Sequence, residues 1–366
     1  MTGVQKKTDA EQSDGAMEWA TAATYIEKLG RIPPLFTAPI RALMLNEGTD
    51  AKGANLASEF LVMRLLRSPT FKSIFYFTAM TFRSEEILSL AYVSSYDLIR
   101  LYRPRDLAGF IGTIFTYRKV KSLVADAELP ADLIDFEDIK KRIELAAHIG
   151  IAVPKLSILN SIHAAGLPLL AQGLLALNDP DGMREYKEHL KSRNLSFDSK
   201  YESEHWKTTS LHICARLLQQ LGFGPAYASN FIQGMQAKPY SFADGKVDEL
   251  RYACIDLWMT SLLETSAAPT VPILGHFYPL QKDLHKLLYE VSCLKEKGSK
   301  HNWLDKAKNE ISPHATPQLY QEVLAELTRS DDVRQFMSAN LPASLVDSLS
   351  DEEIAEIAGG RLEVDM

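Results

Sequence analysis

Cysteine is scarce in this chain. Its 366 residues include three cysteines, Cys214, Cys254 and Cys293, which lie far apart and form no Cys-x-x-Cys pair. This number and spacing argue against a disulfide framework and against the common zinc and redox motifs. We therefore expect three buried thiols in a protein of a reducing compartment.

Long apolar runs and familiar catalytic motifs are also missing. No segment approaches the roughly 18 uninterrupted apolar residues of a membrane span, and the polar first 16 residues lack the apolar stretch of a signal peptide. The chain has no Gly-x-x-x-x-Gly-Lys-Ser/Thr loop, no Gly-x-Ser-x-Gly elbow and no His-Glu-x-x-His pair. The sequence predicts a cytoplasmic protein without a membrane span.

An excess of positive charge is absent too. The formal net charge is −7, so no general attraction to a nucleic-acid backbone is expected. The local exception is a basic cluster between residues 100 and 121. Its six members accompany Tyr102 and Tyr117: Arg100, Arg103, Arg105, Arg118, Lys119 and Lys121. A solvated helix face is the simplest interpretation of this cluster, and a DNA-binding surface is the alternative.

Apolar residues make up 46% of the chain, enough for a large buried core. They recur at spacings of three and four residues, for example in residues 107–124 and 211–221, whereas period-two alternation is scarce. Prolines and glycines interrupt this pattern at residues 33–34, 68–69, 103–104, 129–130, 178–180, 222–225 and 269–279. The sequence therefore predicts an all-α fold, a bundle of short helices.

Composition divides the chain into three parts. Residues 1–16 have little to bury, which predicts a disordered tail. Residues 17–265 form the predicted helical domain, and residues 266–366 form a C-terminal helical extension with an acidic end. Four periodic apolar residues predict short amphipathic helices there: Leu345, Leu349, Ile354 and Ile357. The pair Gly359-Gly360 resembles the double-glycine end of a leader peptide, although only six residues follow it.

Short motifs follow one another between residues 31 and 263 in an order typical of one family. They are IPPL at 32–35, LRSPTF at 66–71, DLAGFIG at 106–112, VKSLV at 120–124, SIHAAGLPLL at 161–170, ARLL at 215–218 and LGFGP at 221–225. Together they resemble the HDOD domain, an all-helical relative of the HD metal-dependent phosphohydrolases. The resemblance implies an HDOD-like multi-helix bundle in a bacterial protein of signalling, gene regulation or motility control.

The same resemblance selects four candidate residues of a vestigial site. His163 falls on the histidine of the parent family's His-Asp pair. Glu204 and His212 match a glutamate and a histidine eight positions apart, and Asp256 falls near the late aspartate of active enzymes.

The resemblance also shows which metal ligands have been replaced. Ala164 stands where the paired aspartate belongs, and FIQGM at residues 231–235 lacks the family's two adjacent histidines. Lys141 falls near the early histidine, where an ammonium group would repel a divalent cation; His148 is the alternative in another register. HD enzymes use these ligands to hold the ion that activates water. We therefore expect no catalytic residue, no metal and no cofactor.

Each candidate residue also has a simpler interpretation. His163 shares a predicted helix face with leucines, so a buried histidine that donates to a backbone carbonyl explains it without a metal. His212 is predicted on a polar face of the same helix as His205, Arg216 and Gln219. That stripe could bind a phosphate or a carboxylate, and an ordinary solvated face is the simpler explanation.

Three hypotheses for the function follow. The lost ligands favour a non-catalytic signalling protein that binds a partner protein or a small nucleotide. The first alternative is a divergent metal-dependent phosphohydrolase acting on nucleotides or cyclic dinucleotides, with His163, His212 and Asp256 around a shifted metal. The second is a DNA-associated regulator that uses the basic cluster, which the acidic composition opposes.

Overall fold

The computed structural model describes residues 9–45, 52–195, 197–236, 247–270, 276–306, 318–319 and 329–359. Within these ranges the chain forms eighteen α-helices and one pair of short strands, which confirms the predicted all-α class. The first nine helices are α1 (Asp9–Glu27), α2 (Pro34–Leu45), α3 (Lys52–Leu65), α4 (Pro69–Phe82), α5 (Ser84–Leu88), α6 (Ser95–Arg100), α7 (Pro104–Asp126), α8 (Phe136–Ala152) and α9 (Ile158–Asn178).

The second nine helices are α10 (Pro180–Arg193), α11 (Ser199–Trp206), α12 (Ser210–Leu221), α13 (Pro225–Gln236), α14 (Val247–Thr265), α15 (Gln281–Lys297), α16 (Ser330–Asn340), α17 (Ala343–Val346) and α18 (Asp351–Gly359). Strand β1 (Tyr92–Val93) pairs in parallel with β2 (Gln318–Leu319). A 3-10 turn, Trp303–Asp305, follows α15.

Local chemistry determines where many of these helices begin and end. Five of them start at a proline: Pro34, Pro69, Pro104, Pro180 and Pro225. Proline suits the first helical turn, where its missing N–H would have no partner in the helix. Ser68 caps α4 by accepting a hydrogen bond from the Phe71 N–H. Gly222 ends α12 with a φ of 98°, a left-handed conformation that favours glycine.

Helix α9 forms the centre of the molecule. It packs most extensively against α7 and α8, and its residues Ile162, Leu167 and Leu170 are completely buried. Among the described helices, α9 alone is long and apolar enough to cross a membrane, and 78% of that stretch is buried inside the protein. A core helix satisfies these criteria of length and composition as well as a membrane helix does.

The main apolar core continues past the predicted boundary at residue 265. Helix α15 packs on α8, and Trp303 and Leu304 are fully buried in the same core. At the other end, α1 begins at Asp9, inside the predicted disordered tail of residues 1–16, and residues 1–8 lie outside the described ranges. The division into domains stays a prediction.

The three cysteines are free thiols. Cys214 and Cys254 are buried, as expected for thiols that contribute to an apolar core. Cys293 differs from the expectation, because it is partly exposed near the end of α15.

The C-terminal helices have a smaller core of their own, formed with α2 and α3. Its buried C-terminal members are Val333, Met337, Leu341, Leu345, Val346, Leu349, Ile354, Ile357 and Ala358. Arg64 on α3 fastens the end of α18 by donating to the Ala358 carbonyl over 3.2 Å. The periodic apolar residues of this segment are thus buried, as in amphipathic helices. Gly359 is exposed, and Gly360 lies outside the described residues.

Candidate functional site

His163 lies in the core, on α9. Its side chain is completely buried, and its Nδ1 atom lies 3.0 Å from the Tyr227 hydroxyl. Burial lowers the pKa of His163 to about 3, because a charged imidazole would lose its hydration there. The Gly109 backbone opposes this effect as a weak hydrogen-bond acceptor, and Nε2 makes no hydrogen bond of normal geometry with any described residue. The ring is therefore neutral, and its close partner is the Tyr227 hydroxyl, in addition to the backbone acceptor that the sequence predicts.

Tyrosines fill the space beside His163. The Tyr227 hydroxyl is also hydrogen-bonded to Tyr252, which donates to the side-chain oxygen of Asn160 over 3.2 Å. We call Asn160, His163, Tyr227 and Tyr252 the tyrosine cluster. The Tyr252 ring also covers Gly234, where an added Cβ would overlap it. Gly234 stands where the resemblance to the HDOD domain would place a histidine, and Tyr252 occupies the room that a side chain there would need.

Glu204 and Asp256 are not members of this cluster, and both are exposed. Glu204 is exposed on α11 and pairs loosely with Lys200, 3.8 Å away, while Asp256 is exposed on α14. In the part of the chain that the structure describes, no three histidine, cysteine, aspartate or glutamate side chains come together as a metal site. The structure therefore does not assemble the vestigial site that the resemblance suggests.

His212 is covered by α1 and does not lie on an open polar face. Its Nδ1 atom lies 2.8 Å from the Thr209 hydroxyl, and its Nε2 atom lies 3.6 Å from the Glu18 carboxylate. The Trp19 ring packs edge-on against it, with ring centres 5.3 Å apart. Burial lowers the pKa of His212, and the Glu18 charge opposes this effect. This face of α12 is polar, as predicted, but it is covered by α1 and is not an ordinary solvated face, because periodicity within one helix does not indicate which distant helix covers it.

The predicted anion-binding stripe is divided between two helices. Lys207 ends α11 in a left-handed conformation with a φ of 56°, and Thr209 caps the start of α12. His205 therefore lies on a different helix from Arg216 and Gln219. The prediction of one continuous helix was wrong because the break contains no proline or glycine, the residues that usually signal it.

The members of this stripe also contact other protein groups. Arg216 donates to Gln219 over 3.4 Å, and its guanidinium lies 5.5 Å from the centre of the Trp19 ring. The His205 Nε2 atom lies 2.9 Å from the Asp179 carboxylate. These contacts fix the residues within the packing of α1, α10, α11 and α12.

A buried carboxylate lies two residues before the one that the resemblance selects. Glu202 is completely buried and accepts hydrogen bonds from the Ser210 N–H and hydroxyl, at 2.6 and 2.9 Å. Burial raises the pKa of Glu202 to about 7, against the effect of these bonds and of one from Tyr186. The carboxylate ties α11 to the start of α12. The sequence contains one indication that Glu202 is buried. It lies four residues before Trp206, which is buried, so the two side chains share one face of α11.

His148 and Lys141, the two residues near the early histidine position of the resemblance, lie in different surroundings on α8. Lys141 is exposed on α8. His148 packs edge-on against Phe82, with ring centres 5.0 Å apart, and burial lowers its pKa to about 3. The nearby cations Lys300 and Lys286 lower the pKa of His148 further, since they oppose its protonation.

The C-terminal half of the basic cluster binds the protein's own chain. Arg118 donates to the carbonyls of Leu304 and Lys306, both at 3.2 Å. The Lys121 ammonium lies 2.5 Å from the Asp305 carboxylate. These side chains hold the 3-10 turn against α7, which accounts for their charge without nucleic acid.

The N-terminal half of the cluster borders a pocket of about 340 Å³. Its polar lining consists of Arg83, Arg100, Tyr102, Arg103 and Asp106, and apolar residues from the end of α8 and the start of α9 complete it. We call this the arginine pocket. Sequence reasoning missed it because Arg83 lies outside the basic cluster and reaches the pocket only through the packing of α4 against α6.

No protein-family model, curated protein or solved structure matches this chain. The all-α class is shared by many families with unrelated functions. The resemblance to the HDOD domain therefore rests on the order of the sequence motifs, and membership of that family stays a prediction.

Proposed function

We propose that this chain is a non-catalytic signalling protein of the HDOD type that acts by binding a small nucleotide or a partner protein. The tyrosine cluster is the observation that carries this proposal. His163, the residue that best matches a family ligand, is buried, neutral and hydrogen-bonded to Tyr227. Tyr252 fills the space next to Gly234, where the family places another ligand.

A metal centre at His163 would require this cluster to open. Catalytic metal sites hold the ion with several converging side chains and keep one position for water. Ala164 offers no ligand atom, and Gly234 offers no side chain. Opening the cluster would also leave the Tyr252 and Asn160 polar groups without their present bond, which is costly in a buried site. Binding without hydrolysis is therefore the function that this arrangement supports best.

Metal analysis together with a turnover assay tests this proposal. The full chain is incubated with Mn²⁺, Fe²⁺ or Zn²⁺, desalted and analysed for bound metal, and a panel of nucleotides and cyclic dinucleotides is assayed with Mn²⁺. We expect far less than one ion per chain and no turnover. A stoichiometric metal that His163→Gln removes, or turnover that His163→Gln or His212→Ala abolishes, would overturn the proposal. Glu185→Gln, an exposed glutamate on α10 outside the candidate set, is the matched control.

A further inference from the structure

We propose that the arginine pocket binds the phosphate group of a small nucleotide whose base stacks on Tyr96. This inference rests on the proposed function, because it names the ligand class of a binding protein. Its basis is the charge of the lining, two buried polar atoms without a hydrogen-bond partner among the described residues, and an exposed aromatic ring beside the pocket.

The lining carries three positive charges from separate segments. Arg83 follows α4, Arg100 ends α6, and Arg103 precedes α7. Asp106 supplies one opposing carboxylate, which interacts with Arg103 and Arg83 and accepts a hydrogen bond of 3.1 Å from the Leu159 N–H at the start of α9. The lining therefore keeps an excess of two positive charges. Guanidinium groups match the geometry and charge of a phosphate, and several of them around one pocket suit an anionic ligand.

Two polar atoms of this lining are buried and have no hydrogen-bond partner among the described residues. They are the Tyr102 hydroxyl and the Arg83 Nε atom. Tyr102 is 7% exposed, and the Arg83 guanidinium lies 6.0 Å from the centre of its ring. Buried donors in proteins nearly always find an acceptor. A phosphate in the adjoining pocket supplies acceptors for both when these two side chains turn toward it.

The existing ion pairs of the arginines are weak competitors. Arg83 lies 3.5 Å from Glu86, and Arg100 lies 3.5 Å from Glu59. Both pairs are long and partly exposed to solvent, and pairs of this kind contribute little to stability. A phosphate can therefore replace them at small cost. Its binding should weaken as the salt concentration rises.

Tyr96 gives the pocket a surface for a base. Its side chain is 43% exposed, and the Arg100 guanidinium lies 5.6 Å from its ring centre. Arg100 therefore connects the pocket lining with this ring. Bases stack readily on aromatic side chains, with added contributions from arginine. The pocket volume of about 340 Å³ is at the lower end of the range for small-molecule sites, which favours a mononucleotide over a larger ligand.

Titration calorimetry on the full chain tests this inference. The ligands are adenosine and guanosine 5′-monophosphate, ribose 5-phosphate, inorganic phosphate and the two nucleosides. We expect a mononucleotide to bind more tightly than ribose 5-phosphate, and the nucleosides to bind weakly. Arg100→Gln and Tyr102→Phe should each weaken nucleotide binding about tenfold, because each removes a hydrogen bond to a charged group. Arg193→Gln, which removes an exposed charge on α10, should have no effect.

Tyr96→Ala separates the base from the phosphate. It should weaken mononucleotide binding and leave ribose 5-phosphate unaffected. Equal affinities for both ligands, or a mononucleotide affinity that Tyr96→Ala does not change, would overturn the assignment to a nucleotide. No binding of any phosphate compound below about 1 mM, or binding that Arg100→Gln and Tyr102→Phe leave unchanged, would overturn the site itself. Either of these negative binding results would leave the metal analysis and the turnover assay unaffected. Metal-dependent hydrolysis, in contrast, would refute the proposed function and would not bear on the arginine pocket.

Discussion

The stability of this protein should carry a pH dependence that originates in Glu202. Burial raises the pKa of Glu202 from its ordinary 4.5 to about 7, so the folded state holds a proton that the unfolded state releases between these values. The stabilisation from this proton is fully present below about pH 4.5 and is lost as pH rises through about 7. The difference between the two pKa values corresponds to about 3 kcal/mol of unfolding free energy.

Urea denaturation at pH 5, 6, 7 and 8, followed by tryptophan fluorescence, measures this loss. Glu202→Gln removes the proton equilibrium but keeps an oxygen that can accept from Ser210. We expect the variant to match the wild type at pH 5 and to exceed it by about 2 to 3 kcal/mol at pH 8. Glu204→Gln, two residues away and exposed, should behave like the wild type.

Comparison with the variant is needed because other buried groups titrate in this range. His148 and His163 have pKa values lowered to about 3 by burial, so they bind fewer protons in the folded state. Their contribution to stability rises with pH up to about 6.5 and has the opposite sign. If the wild type and Glu202→Gln respond identically to pH, a proton on Glu202 plays no part and the reasoning is refuted.

Three further substitutions test the packing. Asp305→Ala removes the carboxylate that lies 2.9 Å from the buried Lys140 ammonium. It should lower the free energy of unfolding, measured by urea denaturation, by about 3 kcal/mol. A decrease below about 1 kcal/mol would contradict a buried ion pair there. Gly150→Ala places a Cβ 2.6 Å from the Ile158 Cα atom. This overlap should destabilise the folded state by about 2 kcal/mol and so lower the melting temperature. An unchanged melting temperature would disprove the close approach of α8 and α9. Ile357→Ala empties a fully buried position in the smaller core. It should lower the free energy of unfolding by about 3 kcal/mol in the urea denaturation assay. A negligible decrease would show that α18 does not depend on this contact.

The helices could be predicted largely because their signals are local. Pro69, Pro104 and Pro180 lie at the first helical position of α4, α7 and α10, and each effect depends on the geometry of a single residue. The apolar spacing of the C-terminal segment likewise follows from the turn of one helix. Such signals need no knowledge of what lies on the other side of the helix.

The surroundings of the candidate residues depend on contacts between distant segments. His212 lies on a face that appears polar in sequence, and α1 covers that face with Glu18 and Trp19. Glu202 and Glu204 have the same charge and lie on the same short helix, but one is buried and the other is exposed. Only the packing of α11 against α10 and α12 distinguishes them, and the motif spacing selected the exposed one.

The tyrosine cluster gives Gly234 and His163 a common physical explanation. A glycine at position 234 has no side chain to fill the space beside it, and buried cavities are costly. Tyr252 fills that space, but a buried tyrosine hydroxyl must be hydrogen-bonded. Asn160 accepts from it, and Tyr227 links it to the neutral ring of His163. His163 therefore has a structural role that is sufficient without a metal, and a histidine at a family-like position is weak support for hydrolysis in this chain.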